Sequence, residues 1–215
     1  MKFKQNLICT VLLFLLFIAL TACVLWVDVA AIGPKGSEIG LSSINKGTFD
    51  KLGESHFWYV FTEYLGYFAM ALAAVFVGMA AGQLFKRKSL KKVDGSLLAL
   101  MGCYGLMAFF YVLFEFVVIN YRPVLEEGEL AASYPSSHTF MVCTIMLSAL
   151  LQMEYMTTDK LWRTLGTVGG YIIVILTVVG RLLSGVHWFT DILGGVLLSA
   201  ALVMLYHTFA QKLQK

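Results

Sequence analysis

Apolar residues run along this chain in blocks too long for a soluble core. Six stretches, at about 6–27, 60–85, 96–119, 139–153, 165–182 and 190–211, hold almost no charge. A helix needs about 20 such residues to cross a bilayer. Each stretch is expected to be helical, since a lone strand leaves its backbone unsatisfied in hydrocarbon. The fourth and fifth are the shortest, and their ends are the least defined. The pattern predicts an all-α polytopic bundle of six transmembrane helices, forming one domain over residues 1–215. Gly78-x3-Gly82 and Gly166-x3-Gly170 have the spacing that lets membrane helices approach closely.

Composition agrees with the pattern. The chain is 59% hydrophobic and 13% charged, against about a quarter charged in soluble domains. A net charge of +3 gives no reason to expect nucleic acid as a partner. The distribution of the basic residues is more informative. One side of the bundle collects Lys2, Lys4, Lys86, Arg87, Lys88, Lys91, Lys92, Lys160, Arg163, Lys212 and Lys215. The other has Lys35, Lys46, Lys51, Arg122 and Arg181. The richer side is expected to be cytoplasmic, with both termini. Loops 28–59, 120–138 and 183–189 then face outward, and the membrane expected is the plasma membrane.

Cys9, Cys23, Cys103 and Cys143 each lie in an apolar run and read as small packing residues rather than disulfide or zinc ligands. Leu20-Thr21-Ala22-Cys23 resembles a lipoprotein cleavage signal. The apolar run continues through Val27, however, so it is read as the first span.

Three outward clusters carry the chemistry. Arg181, His187 and Asp191 bracket the last short loop, and a helix beginning near His187 would put His187 and Asp191 on one face. A carboxylate there holds one imidazole nitrogen and frees the other to attack. The bland alternative is an Arg–Asp pair closing a loop beside an interfacial histidine. Pro135-Ser136-Ser137-His138 precedes the fourth span, where free helix N–H groups favour an anion. Ser136 adds a hydroxyl and His138 a proton donor; alone, this is equally a serine cap beside a histidine. Arg122, before Pro123, is by itself a snorkelling arginine. Taken together, ionisable groups from three distant loops at one membrane rim point to a phosphate ester carried on a lipid.

The order Arg122-Pro123, Pro135-Ser136-x-His138, then Arg181-x5-His187-x3-Asp191 resembles the type 2 phosphatidic acid phosphatase superfamily, over residues 115–191 by motif and over the whole chain by plan. The resemblance implies a phosphatase acting on lipid phosphates or polyprenyl diphosphates. His187 would be the nucleophile, forming a phosphohistidine, and Asp191 would orient it. His138 would protonate the leaving group and later activate water. Arg122, Arg181, Ser136 and the backbone near Ser137 would hold phosphoryl oxygens. The family needs no metal or cofactor, and the arginines supply the charge stabilisation.

Three positions depart from the family pattern. Glu115 stands where a lysine is usual, Gly180 where a serine is usual, and Ser137 where a glycine is usual. Glu115 is expected to brace Arg122 or Arg181, or to meet a cationic part of the substrate. It is also the best argument for a rival class, a non-catalytic relative that binds or transports lipid phosphates. Glu126, Glu127 and Glu129 read as a solvated loop. A metal hydrolase using His56, His138, His187 and Asp191 lacks the ligand spacing such sites use.

Overall fold

A computed structural model describes residues 2–213. Of the lysines used for orientation, Lys215 and the side chain of Lys2 lie outside the described residues. Among the described residues, seven α-helices follow one another: α1 (Lys2–Trp26), α2 (Ser42–Leu52), α3 (His56–Arg87), α4 (Gly95–Phe116), α5 (Ser137–Met156), α6 (Lys160–Leu183) and α7 (Phe189–Leu213). All but α2 are long and apolar enough to cross a membrane. The chain is a multi-pass membrane protein.

Burial sorts the six spans into two kinds. α5 and α7 form the interior, while α1, α3, α4 and α6 turn much of their surface outward. That surface is built from side chains such as Leu12, Leu16, Phe68, Val75, Phe109, Val112 and Ile175. In lipid, such residues cost nothing to expose, so the peripheral helices need only one packed stripe. α1, α4 and α5 pack round α7, and α3 and α6 pack against α5. A polar thread ties the interior: Tyr206 Oη donates to Gln152 Oε1 at 2.6 Å, and Gln152 Nε2 donates to Ser96 Oγ at 3.2 Å. The start of α1 meets the end of α7, where Asn6 Nδ2 donates to Gln211 Oε1 at 3.3 Å. The start of α1 and the end of α7 therefore lie at one face of the bundle.

The two glycine pairs behave differently. A Cβ on Gly170 would come within 2.6 Å of Leu150, and one on Gly166 would collide with Met153. This pair seats α6 on α5, as its spacing predicts. Gly78 and Gly82 face open space and mediate no helix contact within the chain, contrary to the expectation for that pair.

The end away from the termini carries the long connections 27–55 and 117–136 and the short loop 184–188. α2 was expected to be loop. Its first turn is held by polar side chains, and Phe49 in its last turn packs on the Trp188 ring at 5.6 Å. Asp28 accepts from Ser42 Oγ at 3.0 Å and from Ser43 N at 2.8 Å, and Asn45, fully buried, bonds Thr190 at the head of α7. α2 is thereby fastened over the start of α7.

Candidate active site

Two hydrogen bonds gather the three clusters. Trp188 Nε1 donates to Tyr121 O at 2.8 Å, joining the last loop to the Arg122 segment. Ser136 N donates to Asp191 O at 2.9 Å, joining the α5 entry to the α7 entry. Close approach here needs glycine: a Cβ on Gly195 would stand 2.9 Å from Ser136 O, and one on Gly194 would stand 2.6 Å from the Tyr134 ring. The 117–136 connection folds back on itself, with Arg122 N donating to Ala131 O at 3.0 Å and Ser133 N to Asn120 O at 2.9 Å.

At the centre, Asp191 is fully buried and accepts three hydrogen bonds: from Ser133 Oγ, from Trp188 N at 2.9 Å and from Asn120 Nδ2 at 3.3 Å. All three donors point at its carboxyl oxygens, so the group is the acceptor in each bond. It does not reach His187 directly, because α7 begins at Phe189 rather than at His187, and Nδ1 and Oδ2 stand 4.0 Å apart. Ser133 fills the gap, with its Oγ 3.1 Å from His187 Nδ1. The hydroxyl proton is committed to the carboxylate, so Oγ can only accept from Nδ1–H. That assigns the tautomer and leaves a lone pair on Nε2.

Nε2 faces Arg181, whose Nη2 is 3.5 Å away. Arg181 is 1% exposed and lies over the Tyr59 ring at 5.4 Å. Its Nη1 is taken by Glu63 Oε1 at 3.1 Å and Thr62 Oγ1 at 3.4 Å. Nε is buried and has no partner among the described residues. The Nε–Nη2 edge, the side that binds oxyanions in pairs, is thus directed at the nucleophile candidate. Burial, and then the positive charges of Arg181 and Arg122, hold His187 well below the usual histidine value. The imidazole is neutral at physiological pH, as a nucleophile requires.

His138 lies against Gly66 of α3, and its Nε2 is 3.2 Å from Glu63 Oε2. Arg122 comes from the folded connection. Its Nε donates to Ala132 O at 3.3 Å, and Nη1 pairs with Glu126 at 3.2 Å. It is near enough to act electrostatically on His187, Arg181 and Asp191. The structure therefore brings Arg122, His138, Arg181, His187 and Asp191 to one rim.

Two expectations need correction. Glu115 braces neither arginine; Glu126 pairs with Arg122 and Glu63 with Arg181. Glu115 instead lines a small cavity with Tyr111, Phe114, Ser133, Ser137 and Phe140. The Ser136 hydroxyl is buried and bonded to Thr139, accepting from its N–H and donating to its Oγ1, so it caps α5 rather than facing an anion. Glu126, Glu127 and Glu129 are exposed, as a solvated loop requires, and Glu129 and Glu126 pair there with Lys35 and Arg122.

No motif includes Ser133, Asn120 or Glu63, although the place of Glu63 near the outer end of its span leaves open both a site-lining and an interfacial role. The one signal for Ser133 was its place two residues before Pro135. A departure also acquires a cause: a Cβ on Gly180 would come within 2.6 Å of Thr62 and 2.9 Å of Trp58. The glycine lets α3 press on α6 where Glu63 meets Arg181.

A bundle of six apolar helices with two arginines and a buried histidine gathered at one rim defines an integral membrane protein with a cationic cluster at one end. The chain belongs to the PAP2 superfamily, whose profile matches residues 66–215. Among solved structures it is similar to a transmembrane PAP2 type phosphatidylglycerolphosphate phosphatase from Bacillus subtilis, with 22% identity, 96% of this chain and 98% of that chain covered, and a TM-score of 0.64. At that identity the likeness speaks for the fold. Comparison with curated proteins gives no match.

Proposed function

We propose that this protein is an extracytoplasmic-facing phosphatase for lipid phosphates or polyprenyl diphosphates, working through a phosphohistidine without a metal. One observation carries the reading: His187 has Nδ1 tied through Ser133 to Asp191, while Nε2 faces the open edge of Arg181. Nε2 attacks phosphorus, and the N–P bond forms as the P–O bond to the lipid breaks. His138 gives its proton to the departing oxygen. Water then attacks the phosphohistidine, His138 takes its proton, and inorganic phosphate leaves with the N–P electron pair returning to Nε2. Arg181 and Arg122 balance the charge that gathers on the phosphoryl oxygens, the role magnesium has in other phosphoryl transfers.

The eleven-to-five division of basic residues favours a site facing outward across the plasma membrane. The phosphate is received at headgroup height, and the tail stays among the helices. The structural neighbour's substrate, phosphatidylglycerolphosphate, belongs in the first panel tried, with phosphatidic acid and a polyprenyl diphosphate. Purified protein in proteoliposomes is expected to release phosphate from at least one of these, and His187→Ala from none. Release that persists in His187→Ala overturns the nucleophile assignment. The rival reading, a lipid-phosphate binder without turnover, is favoured by Glu115 in place of the usual lysine. Stoichiometric lipid binding with no phosphate release would establish it.

A further inference from the structure

Glu63 lies on α3, before the segment that matches the family, and no motif includes it. Its carboxylate bridges two groups of the site from different helices, with Oε1 on Arg181 Nη1 at 3.1 Å and Oε2 on His138 Nε2 at 3.2 Å. Three local features hold it there. Thr62, its neighbour on α3, shares Arg181 Nη1 with it. Gly66, one turn further on, gives the His138 ring its seat, where a Cβ would stand 3.1 Å from Nε2. Gly180 allows the close approach of α3 to α6.

From this bridge, we propose that Glu63 is a positioning residue that orients His138 as the proton donor and keeps it in register with the phosphate-binding edge of Arg181. The inference rests on the phosphatase reading above. Glu63 uses Arg181 through Nη1 alone, so it does not compete for the Nε–Nη2 edge. It accepts from Nε2–H of His138, and no protein group holds Nδ1 among the described residues. Nδ1 is therefore the atom left to serve the leaving oxygen, and it carries the proton to be given only in the imidazolium form, which the Glu63 carboxylate counter-charges. The two histidines are set oppositely: His187 is tied at Nδ1 and acts at Nε2, whereas His138 is tied at Nε2 and acts at Nδ1. Each is fixed by a carboxylate, one through a serine and one directly.

A residue that acts through the proton donor matters only when the leaving group needs a proton. The test therefore compares Glu63→Gln with wild type on a lipid phosphate, whose alkoxide must be protonated, and on p-nitrophenyl phosphate, whose phenolate leaves unaided. Glu63→Gln is expected to lower kcat on the lipid by about 10- to 100-fold, the scale of general acid catalysis. On p-nitrophenyl phosphate it should stay within about threefold, with KM little changed on both. Retained p-nitrophenyl phosphate turnover also establishes that the variant folds. In a His138→Asn background, adding Glu63→Gln should cost nothing further on the lipid. Orthovanadate binding, followed by calorimetry, should be equal in wild type and Glu63→Gln.

Equal losses on both substrates, or vanadate affinity that falls with them, would mean that Glu63 serves only as the counter-charge of Arg181, and would overturn the proposal. Additive losses in the double variant would do the same. If Glu63→Gln fails to fold, Gly66→Ala, which displaces the His138 ring by tenths of an ångström, is read on the same two substrates. It must show the same selective loss or the proposal falls. A wild-type protein that binds vanadate yet turns over neither substrate would remove the phosphatase reading itself.

Discussion

Asp191 and His187 are partners that do not touch. His187 Nδ1 and Asp191 Oδ2 are 4.0 Å apart, and Ser133 Oγ stands between them in hydrogen-bond range of both. The orientation of His187 therefore depends on a serine that the motif order does not contain.

Removing that hydroxyl should behave like removing the carboxylate. Ser133→Ala is expected to lower kcat by about 10- to 100-fold with KM nearly unchanged, because it releases the tautomer of His187 without touching the phosphate edge. Ser133→Thr keeps an Oγ and should recover much of the loss. A double variant with Asp191→Asn should be no worse than the weaker single variant. Rapid-quench trapping of the acid-labile phosphoenzyme measures the affected step directly. Fully additive losses would separate Ser133 from Asp191.

The low proton affinity of His187 gives a pH dependence with a definite sign. Unfolded, this imidazole takes up a proton near its ordinary value of about 6.5. Folded, it does not until the pH is well below that. The unfolded state thus binds more protons below about pH 6.5, and stability falls as pH drops through that region, by at most about 1.4 kcal/mol per pH unit from this group. The His187→Gln variant should lose that part of the acid dependence of thermal unfolding in detergent. For activity, protonation of the nucleophile should not limit turnover at neutral pH.

Gly180 predicts that the usual family residue is harmful here. Gly180→Ser puts a Cβ into Thr62 and Trp58, and overpacking of this kind typically costs about 1–3 kcal/mol. It should also separate α3 from α6 at the Glu63–Arg181 contact. A lower unfolding temperature and reduced turnover are expected together. A neutral result would mean that α3 shifts freely.

Glu115 lines the cavity beside Ser133 and Ser137 and braces neither site arginine. Glu115→Lys replaces a repelling charge by the one that relatives carry, so orthovanadate should bind more tightly, by about three- to tenfold for a partly solvated charge. Activity on a purely anionic lipid should be equal or higher. Activity lost in this variant would instead assign Glu115 to a cationic part of the substrate.

Hydropathy made the six spans legible, because a bilayer demands long uncharged helices whatever their partners. Their parity put Arg122, His138, Arg181 and His187 on one rim before any geometry was known. What stayed hidden was tertiary. Ser133 and Glu63 are ordinary residue types whose importance comes from what lies opposite them in space. α2 has too little apolar periodicity to announce itself and is held by Asp28 and Asn45. Gly78 and Gly82 carry the same spacing as Gly166 and Gly170, yet only the second pair faces a helix. Spacing states that a close approach is allowed, not that a neighbour is there.

The first helix also reaches the site loop. Thr21 Oγ1 and Tyr134 Oη are 2.9 Å apart, and the Phe17 and Tyr134 rings stack at 6.0 Å. Tyr134 is the residue between Ser133 and Pro135, so its ring acts as a strut from α1 into the loop that carries the serine. A shortened protein trimmed to the family segment would keep every motif residue and still lose the wall that this loop leans on.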